Sequence, residues 1–406
     1  MCEWKKVTLD KMGVVSRGKS KHRPRNDARL FGGKYPFIQT GDIGAAGLYV
    51  QNYSQTYNEE GLAQSKLWDK DTLCITIAAN IADTALLAFP ACFPDSVMGF
   101  VPYKNVSNVK FVKYCFDILK KDCQQISQGT AQDNLSWKKL STILFPCPPI
   151  EVQNRIVEVL SRYDTLIENY QKQIKLLEEA AQRLYKEWFV DLRFPGYEDT
   201  KMVDGLPEGW ERKPLNEVFS YVRGKSYSTS ELSDEGCLMV NLKNIQAFGG
   251  YKRGAEKRFI GTYKQEQTLK KGDLVMGVTD MTQERRLVGH VALIPDFNEP
   301  VTFSMDLIKI VPFNVPTSFL YCSMRYGEIS KQISPLANGV NVLHLKPEAM
   351  MGIVMTVPKI ELINKFCQFV EETINRILNN QSQIRLLTEA RDRLLPKVMG
   401  GEIQIV

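Results

Sequence analysis

Apolar positions repeat at helical spacing over two long stretches, and they are the same stretch written twice. After Pro148-Pro149-Ile150-Glu151-Val152-Gln153 the chain runs to Pro195 without a proline or glycine. Over about Glu151 to Phe189 the apolar residues fall on two heptad lines. One holds Leu160, Ile167, Ile174, Ala181 and Trp188, the other Ile156, Tyr163, Tyr170, Leu177 and Leu184. A second such helix is predicted over about Glu361 to Val398. Its lines are Val370, Ile377, Ile384, Arg391 and Val398, and Phe366, Thr373, Asn380, Leu387 and Leu394. Displaced by 210 residues without a gap, Ile167, Asn169, Gln171, Gln173, Ile174, Leu176, Leu177, Glu179, Ala180, Arg183 and Leu184 meet identical residues. Such a match is an internal duplication. Heptads sustained this far predict a helical seam, and 1.5 Å per residue makes each helix a rod of roughly 55–60 Å. The economical packing is of each rod on the other, antiparallel, in a pseudo-twofold molecule. Thr373, Asn380 and Arg391 are polar on a seam that should be dry, which suggests register selection.

Between the rods the pattern is that of mixed strands, short helices and polar loops. Tyr35 to Thr40 and Thr72 to Ile77 read as strands, Phe111 to Lys121 as a short helix, and Trp137 to Phe145 as strand or helix. The duplication reaches here too: Trp4 precedes Arg17-Gly18-Lys19-Ser20 at the spacing by which Trp210 precedes Arg223-Gly224-Lys225-Ser226. Gln128-Gly129-Thr130 likewise answers Asn338-Gly339-Val340. The expected class is α+β, with two similar α/β domains (residues 1–147 and 210–357), two long helical segments (148–194 and 358–406) and a linker at 195–209.

Composition then narrows the function. The chain has 406 residues, 44% of them apolar, and no apolar run approaches the ~20 residues of a membrane span. Nine unpaired-looking cysteines without a Cys-x-x-Cys motif, and three histidines, argue against zinc and for a reduced, cytoplasmic setting. Net charge is +6, but residues 1–34 carry ten Lys or Arg against three acids, which suggests a polyanionic partner.

Gly13 to Ser20 satisfies the P-loop pattern. The following Lys21-His22-Arg23-Pro24 cannot open a helix, however, and Phe219 stands for Gly13 in the second copy, so a basic loop of the fold is the better reading. Asp273, Asp280 and Glu284 among Lys270, Lys271 and Arg285 give only a loose hint of a nuclease, and no catalytic or metal-binding constellation is expected. What recurs is loops rich in base- and phosphate-compatible side chains. The candidates in the first copy are Lys19, His22, Arg23, Arg25, Gln39, Thr40, Asn80, Gln128, Thr130 and Gln132. Those in the second are Lys225, Tyr227, Asn241, Lys243, Asn244, Thr282, Gln283, Arg285, Asn338 and Asn341.

Several motifs fall in order along the full length. They are Gly129-Thr130-Ala131-Gln132-Asp133-Asn134-Leu135, Pro148-Pro149 with Gln153, Trp188-Phe189-Val190-Asp191, Phe194-Pro195-Gly196, Leu206-Pro207-Glu208-Gly209-Trp210 and the closing Leu394 to Ile403. With them the chain resembles the specificity subunits of type I restriction-modification systems. The second copy departs at Val340-Asn341-Val342 and at Lys359. The resemblance implies a non-catalytic subunit whose two target-recognition domains each read half of a bipartite double-stranded DNA site. It implies docking of methyltransferase subunits, two of them expected, and of motor-nuclease restriction subunits. S-adenosylmethionine, ATP and Mg²⁺ then belong to those partners. A coiled-coil scaffold binding only protein is the competing reading.

Overall fold

A computed structural model describes residues 4–78, 80–127 and 135–403. The chain forms two compact units: residues 1–169 with 386–406 (unit 1), and residues 170–385 (unit 2). Both rods therefore contribute to both units. The helices that matter below are α1 (Val109–Ser127), α2 (Ile150–Tyr185), α3 (Thr317–Tyr326) and α4 (Ile360–Met399). The first outruns the predicted Phe111 to Lys121 at both ends. The ambiguous Trp137 to Phe145 stretch resolves into a helical turn, Trp137–Leu140, and a strand, Leu144–Pro146.

The two units repeat one plan. In unit 1 the strands Gly13–Arg17, Val97–Pro102, Leu73–Thr76, Thr84–Leu87 and Tyr49–Val50 form a sheet in that order. Unit 2 matches it with Phe219–Arg223, Leu307–Pro312, Leu274–Gly277 and Val291–Leu293. Register is retained, since Arg17 lies opposite Met98 and Arg223 opposite Ile308. A second four-stranded sheet in each unit contains one parallel pair, at Phe37 and Cys92 in unit 1 and at Leu238 to Val240 in unit 2. The two ends of each domain are tied together by a short antiparallel pair, Lys6–Thr8 with Leu144–Pro146 and Glu211–Pro214 with Val354–Val357. The inner strands Leu73–Thr76 and Leu274–Gly277 are buried on both faces, because helices and rods cover one face and the second sheet the other.

In unit 1 the stripe of α2 that enters the core is Gln153, Ile156, Val157, Leu160, Asp164 and Ile167. Steps of three and four keep it on one face. Tyr163 and Tyr170, predicted on the seam, are only half-buried, as are Ile174, Leu177, Leu184, Ile384, Leu387 and Leu394. The rods bury themselves against their own sheet domain as well as each other, so the covered stripe is not a strict heptad line. Ile156, Val157 and Leu160 share a core with α1 (Phe111, Val112, Cys115, Phe116) and with Leu395, Val398 and Met399 of α4. Gln153 anchors the start of α2. Its Nε2 donates to Val106 O (3.0 Å) and Pro148 O (2.9 Å), and its Oε1 accepts from Asn108 N (2.9 Å).

Within unit 2 the rods run antiparallel, since Asn380 donates to Gln173 at 3.3 Å while the rings of Phe366 and Trp188 lie 5.9 Å apart. Here the helical run ends in a wider π turn, Lys186–Val190. That turn swings Phe189 onto Phe366 (4.9 Å) and Phe319 (5.3 Å). Phe194 packs against Trp210, the rings tilted and their centroids 5.3 Å apart. The Trp-Phe-Val-Asp and Phe-Pro-Gly motifs are thus packing elements that fasten the linker to unit 2.

The polar seam residues have separate explanations. The Thr373 hydroxyl donates to Phe369 O one turn back, and Asn380 pairs with Gln173. Arg391 meets Asp164 of α2, Nη1 to Oδ1 at 2.6 Å, and Tyr114 of α1 donates to the other oxygen at 2.5 Å. Burial and the neighbouring carboxylate push the Tyr114 hydroxyl far above its ordinary range. One repeat away, Asp164 becomes Ile374 and Arg391 becomes Ala181, both buried in the core of unit 2. The same position is ionic in one unit and apolar in the other.

Candidate nucleic-acid interface

Three backbone hydrogen bonds, present in both units, gather the candidate loops onto one edge of each first sheet. In unit 1, Gly18 N donates to Val97 O (2.9 Å), Ile77 N to Ser96 O (3.0 Å) and Leu135 N to Ile77 O (2.9 Å). In unit 2 the counterparts are Gly224 N to Leu307 O (3.1 Å), Val278 N to Asp306 O (2.9 Å) and Leu345 N to Val278 O (2.8 Å). Thus the Arg-Gly-Lys-Ser loop, the turn before the second strand of the sheet and the loop after the third strand adjoin one another in both units, and Leu135 and Leu345 are tied to the same place. The shared glycines have a steric role. A Cβ on Gly18 would collide with the carbonyl oxygens of Phe93 and Pro94, and one on Gly224 with that of Ser304. After Arg17 the chain stays irregular until a three-residue 3₁₀ turn at Ala28–Leu30, so no helix N-terminus exists to cradle a nucleotide phosphate.

In unit 1 the basic loop is partly neutralised by its own neighbours. Asp95 pairs with Arg25 (2.6 Å) and Arg23 (3.6 Å), and Arg23 also donates to Ser20 O and His22 O. Asp27 holds Arg29 (2.7 Å) and His22 (2.8 Å), and hydrogen bonds from Arg29 and then His22 keep its carboxyl well below the usual range. Gln64 Oε1 accepts from Lys21 N (2.6 Å) and His22 N (3.0 Å), fixing the loop to the domain. Lys19 and Lys21 are exposed and make no ion pair among the described residues. Six cations between residues 17 and 29 against Asp27 and Asp95 leave a positive surface. Gln39 donates to Gln55 at 2.8 Å and Thr40 opens the turn Thr40–Ala45, both half-buried, while Asn80 is exposed. Gln128, Thr130 and Gln132 lie outside the described residues.

In unit 2, Thr279–Asp280 pairs with Leu343–His344, which sets the loop 281–287 against the loop 338–342. Gln283 Nε2 clasps them by donating to Val340 O at 2.7 Å. Thr282, Gln283, Arg285, Asn338 and Asn341 are thereby brought onto two facing loops, Arg285 half-buried and the rest exposed. Lys225 sits on the adjoining turn, its carbonyl accepting from Met305 N at 2.9 Å. Tyr227 is half-buried and accepts a bond from Lys257 Nζ (2.6 Å).

Asn241 and Asn244 must be removed from the DNA-reading set. They are 4% and 0% exposed. The Asn241 amide donates to Ala255 O (2.6 Å), and that of Asn244 to Lys252 O (2.9 Å). Asn241 N donates in turn to Asn244 Oδ1 at 2.9 Å, as Gln39 N does to Asp42 (2.8 Å) in unit 1. The pair closes a helical turn, and a buried amide with satisfied partners has nothing left to offer a base. Lys243, between them, is exposed.

Sequence reasoning missed Met281, Val340 and Val342, which are 76%, 86% and 46% exposed on the two facing loops of unit 2. It also missed the role of Asp280, although an acid two residues before a threonine is an Asx-turn signal. The hint of a nuclease dissolves here: Asp273 caps Lys270 N (3.0 Å), Glu284 pairs with Arg286, and both Asp280 oxygens accept from loop donors. Among the described residues no group of three or more His, Cys, Asp or Glu could hold a metal ion, and no helix is long and apolar enough to cross a membrane.

Residues 1–179 match the family model for the type I restriction modification DNA specificity domain. The type I restriction enzyme MjaIX specificity subunit of Methanocaldococcus jannaschii is 24% identical over 99% of this chain and 94% of its own. The MjaVIII specificity subunit of the same organism is 21% identical over 92% and 87%. In fold, the chain is similar to the crystal structure of a type I restriction-modification S subunit from M. genitalium, with TM-score 0.61, 16% identity and coverage of 97% and 96%. The chain is thus similar over nearly its full length to specificity subunits of type I restriction enzymes, and its residues 1–179 match the DNA specificity domain of such systems.

Proposed function

We propose that each unit reads one half of a bipartite, asymmetric double-stranded DNA target through its loop edge. The rods α2 and α4, shared by both units, set the separation of the half-sites. The observation that carries this reading is the joint of three backbone hydrogen bonds at the loop edge, present in both units while the side chains displayed there differ. Two readers of different sequences need a common frame and separate contacts. In unit 2, Gln283 and Asn341 have the amide chemistry that pairs with adenine, Arg285 that for guanine, and Met281 and Val340 suit thymine methyl groups. In unit 1, Lys19 and Lys21 suit phosphates.

Methyltransferase subunits, two in number, dock on the rods, and restriction subunits join through them in the cytoplasm. S-adenosylmethionine, ATP and Mg²⁺ are bound by those partners. Exchanging residues 1–147 for another reader, followed by genome-wide methylation mapping, should change one half of the modified site and leave the other. A change in both halves, or in neither, overturns the modular reading. Absence of any salt-sensitive DNA binding by the assembled complex would instead favour a protein-only scaffold.

Leu176 and Leu386 are the same residue of the repeat and are 64% and 48% exposed. Their retention in both copies is not explained by packing, and it fits a surface used twice by one kind of partner. Leu176→Ala with Leu386→Ala should leave the melting point within a degree or two, because little burial is lost. It should weaken methyltransferase binding by roughly tenfold or more in a titration.

A further inference from the structure

Asp280 is completely buried at the end of its strand, yet every bond it accepts comes from the loop that follows. Its Oδ1 accepts from Thr282 N and Thr282 Oγ1, both at 2.8 Å. Its Oδ2 accepts from Leu287 N (2.6 Å) and Val288 N (3.3 Å). One carboxylate therefore closes both ends of the loop 281–287. Between those ends lie Gln283, which clasps the opposite loop at Val340, and Arg285, held at a left-handed φ of 51°. That conformation is costly for a side chain such as arginine and persists only where the surroundings fix it.

Unit 1 closes its corresponding loop differently. The Thr76 hydroxyl donates to Asn80 O and accepts from Asp83 N (3.0 Å). Gly277 stands at the repeat position of Thr76, its φ unremarkable and its site closed by Leu287 O. The two loop edges share a backbone frame but are locked by different chemistry, a hydroxyl in one and an ionised carboxylate in the other.

We infer that Asp280 is a positioning residue for half-site recognition: it touches no DNA itself but fixes Gln283 and Arg285 of unit 2 in the arrangement that distinguishes bases. The inference rests on the proposed reading of one half-site by each unit. A carboxylate is required because each oxygen faces N–H donors. An asparagine would turn an NH₂ group toward one end of the loop and release it. Net opposition of burial, which raises the carboxyl pKa, and of the donated bonds from Leu287 and Thr282, which lower it, leaves Asp280 below its ordinary value. The lock is thus fully charged at neutral pH.

The test uses the full chain assembled with its methyltransferase partner. Substrates carry single-base changes in one half-site or the other, and the half belonging to unit 2 is identified beforehand by exchanging residues 210–357 for another reader. Asp280→Asn should reduce discrimination among bases by about tenfold in that half alone, with the other half, complex assembly and salt slope unchanged. Thr282→Val, which removes one hydroxyl donor and spares the carboxylate, should give a smaller loss in the same half. It decides the matter if Asp280→Asn does not assemble. Unchanged discrimination in both halves, or an equal loss in both, overturns the role of Asp280. If the exchange of residues 210–357 moves neither half, the failure lies instead with the assignment of one half-site to each unit.

Discussion

Arg391→Ala is expected to cost unit 1 about 3 kcal/mol, measured as a lowered urea midpoint, because it strands the buried carboxylate of Asp164. Asp164 is 5% exposed and receives Arg391 at 2.6 Å and Tyr114 at 2.5 Å. Asp164→Ala should cost less, since Arg391 keeps Asp392 at 2.8 Å and is partly open to water. The repeat itself supplies the decisive control. Unit 2 places Ile374 and Ala181 where unit 1 places Asp164 and Arg391, and Tyr321 aligns with Tyr114 in the shared Tyr-Cys pair of α3 and α1. Building the apolar pair into unit 1, as Asp164→Ile with Arg391→Ala, and adding Tyr114→Phe so that no hydroxyl is stranded beside it, should return stability to within about 1 kcal/mol of the starting protein. If the triple variant is as unstable as Arg391→Ala, the loss comes from packing and not from an unpaired charge.

That pair also shows where sequence reading succeeds and where it stops. Arg391 is conspicuous in the sequence because it interrupts an apolar line, whereas Asp164 sits between the predicted lines. The covered stripe passes through Gln153, Ile156, Leu160 and Asp164 because α2 is packed by α1 and the sheet as well as by α4. Only the tertiary arrangement reveals this drift. The duplication, the rods and the strand over Thr72 to Ile77 were legible because periodicity and repeated motifs are local, whereas the strand expected over Tyr35 to Thr40 lies at Phe31–Phe37 and Thr40 opens a helical turn. The loop edge was legible in outline for the same reason: Arg17-Gly18-Lys19-Ser20 and its copy mark it from sequence. Which polar side chains it displays was not. Asn241 and Gln283 are alike in chemistry, but one is buried against Ala255 O and the other clasps an exposed loop. Burial, not residue type, separates a cap from a reader. Met281 and Val340 escaped because an exposed apolar residue leaves no pattern.

Phe366→Ala is expected to have the largest effect on stability, about 4 kcal/mol, read from chemical unfolding. Phe366 is fully buried in unit 2, and its ring lies 4.9 Å from Phe189, 5.9 Å from Trp188 and 6.1 Å from Tyr185. Truncation would remove the contact surface of three aromatic rings at once, and the π turn that delivers Phe189 gives the cavity little freedom to collapse. The repeat counterpart of Phe366 is Ile156, 2% exposed in a core of mainly smaller side chains. Ile156→Ala should therefore cost less, about 3 kcal/mol. Equal losses at the two positions would mean that the aromatic cluster adds nothing beyond ordinary burial. A larger loss at Phe366 would assign to that cluster the fastening of the linker, α2 and α4 to the sheet domain of unit 2.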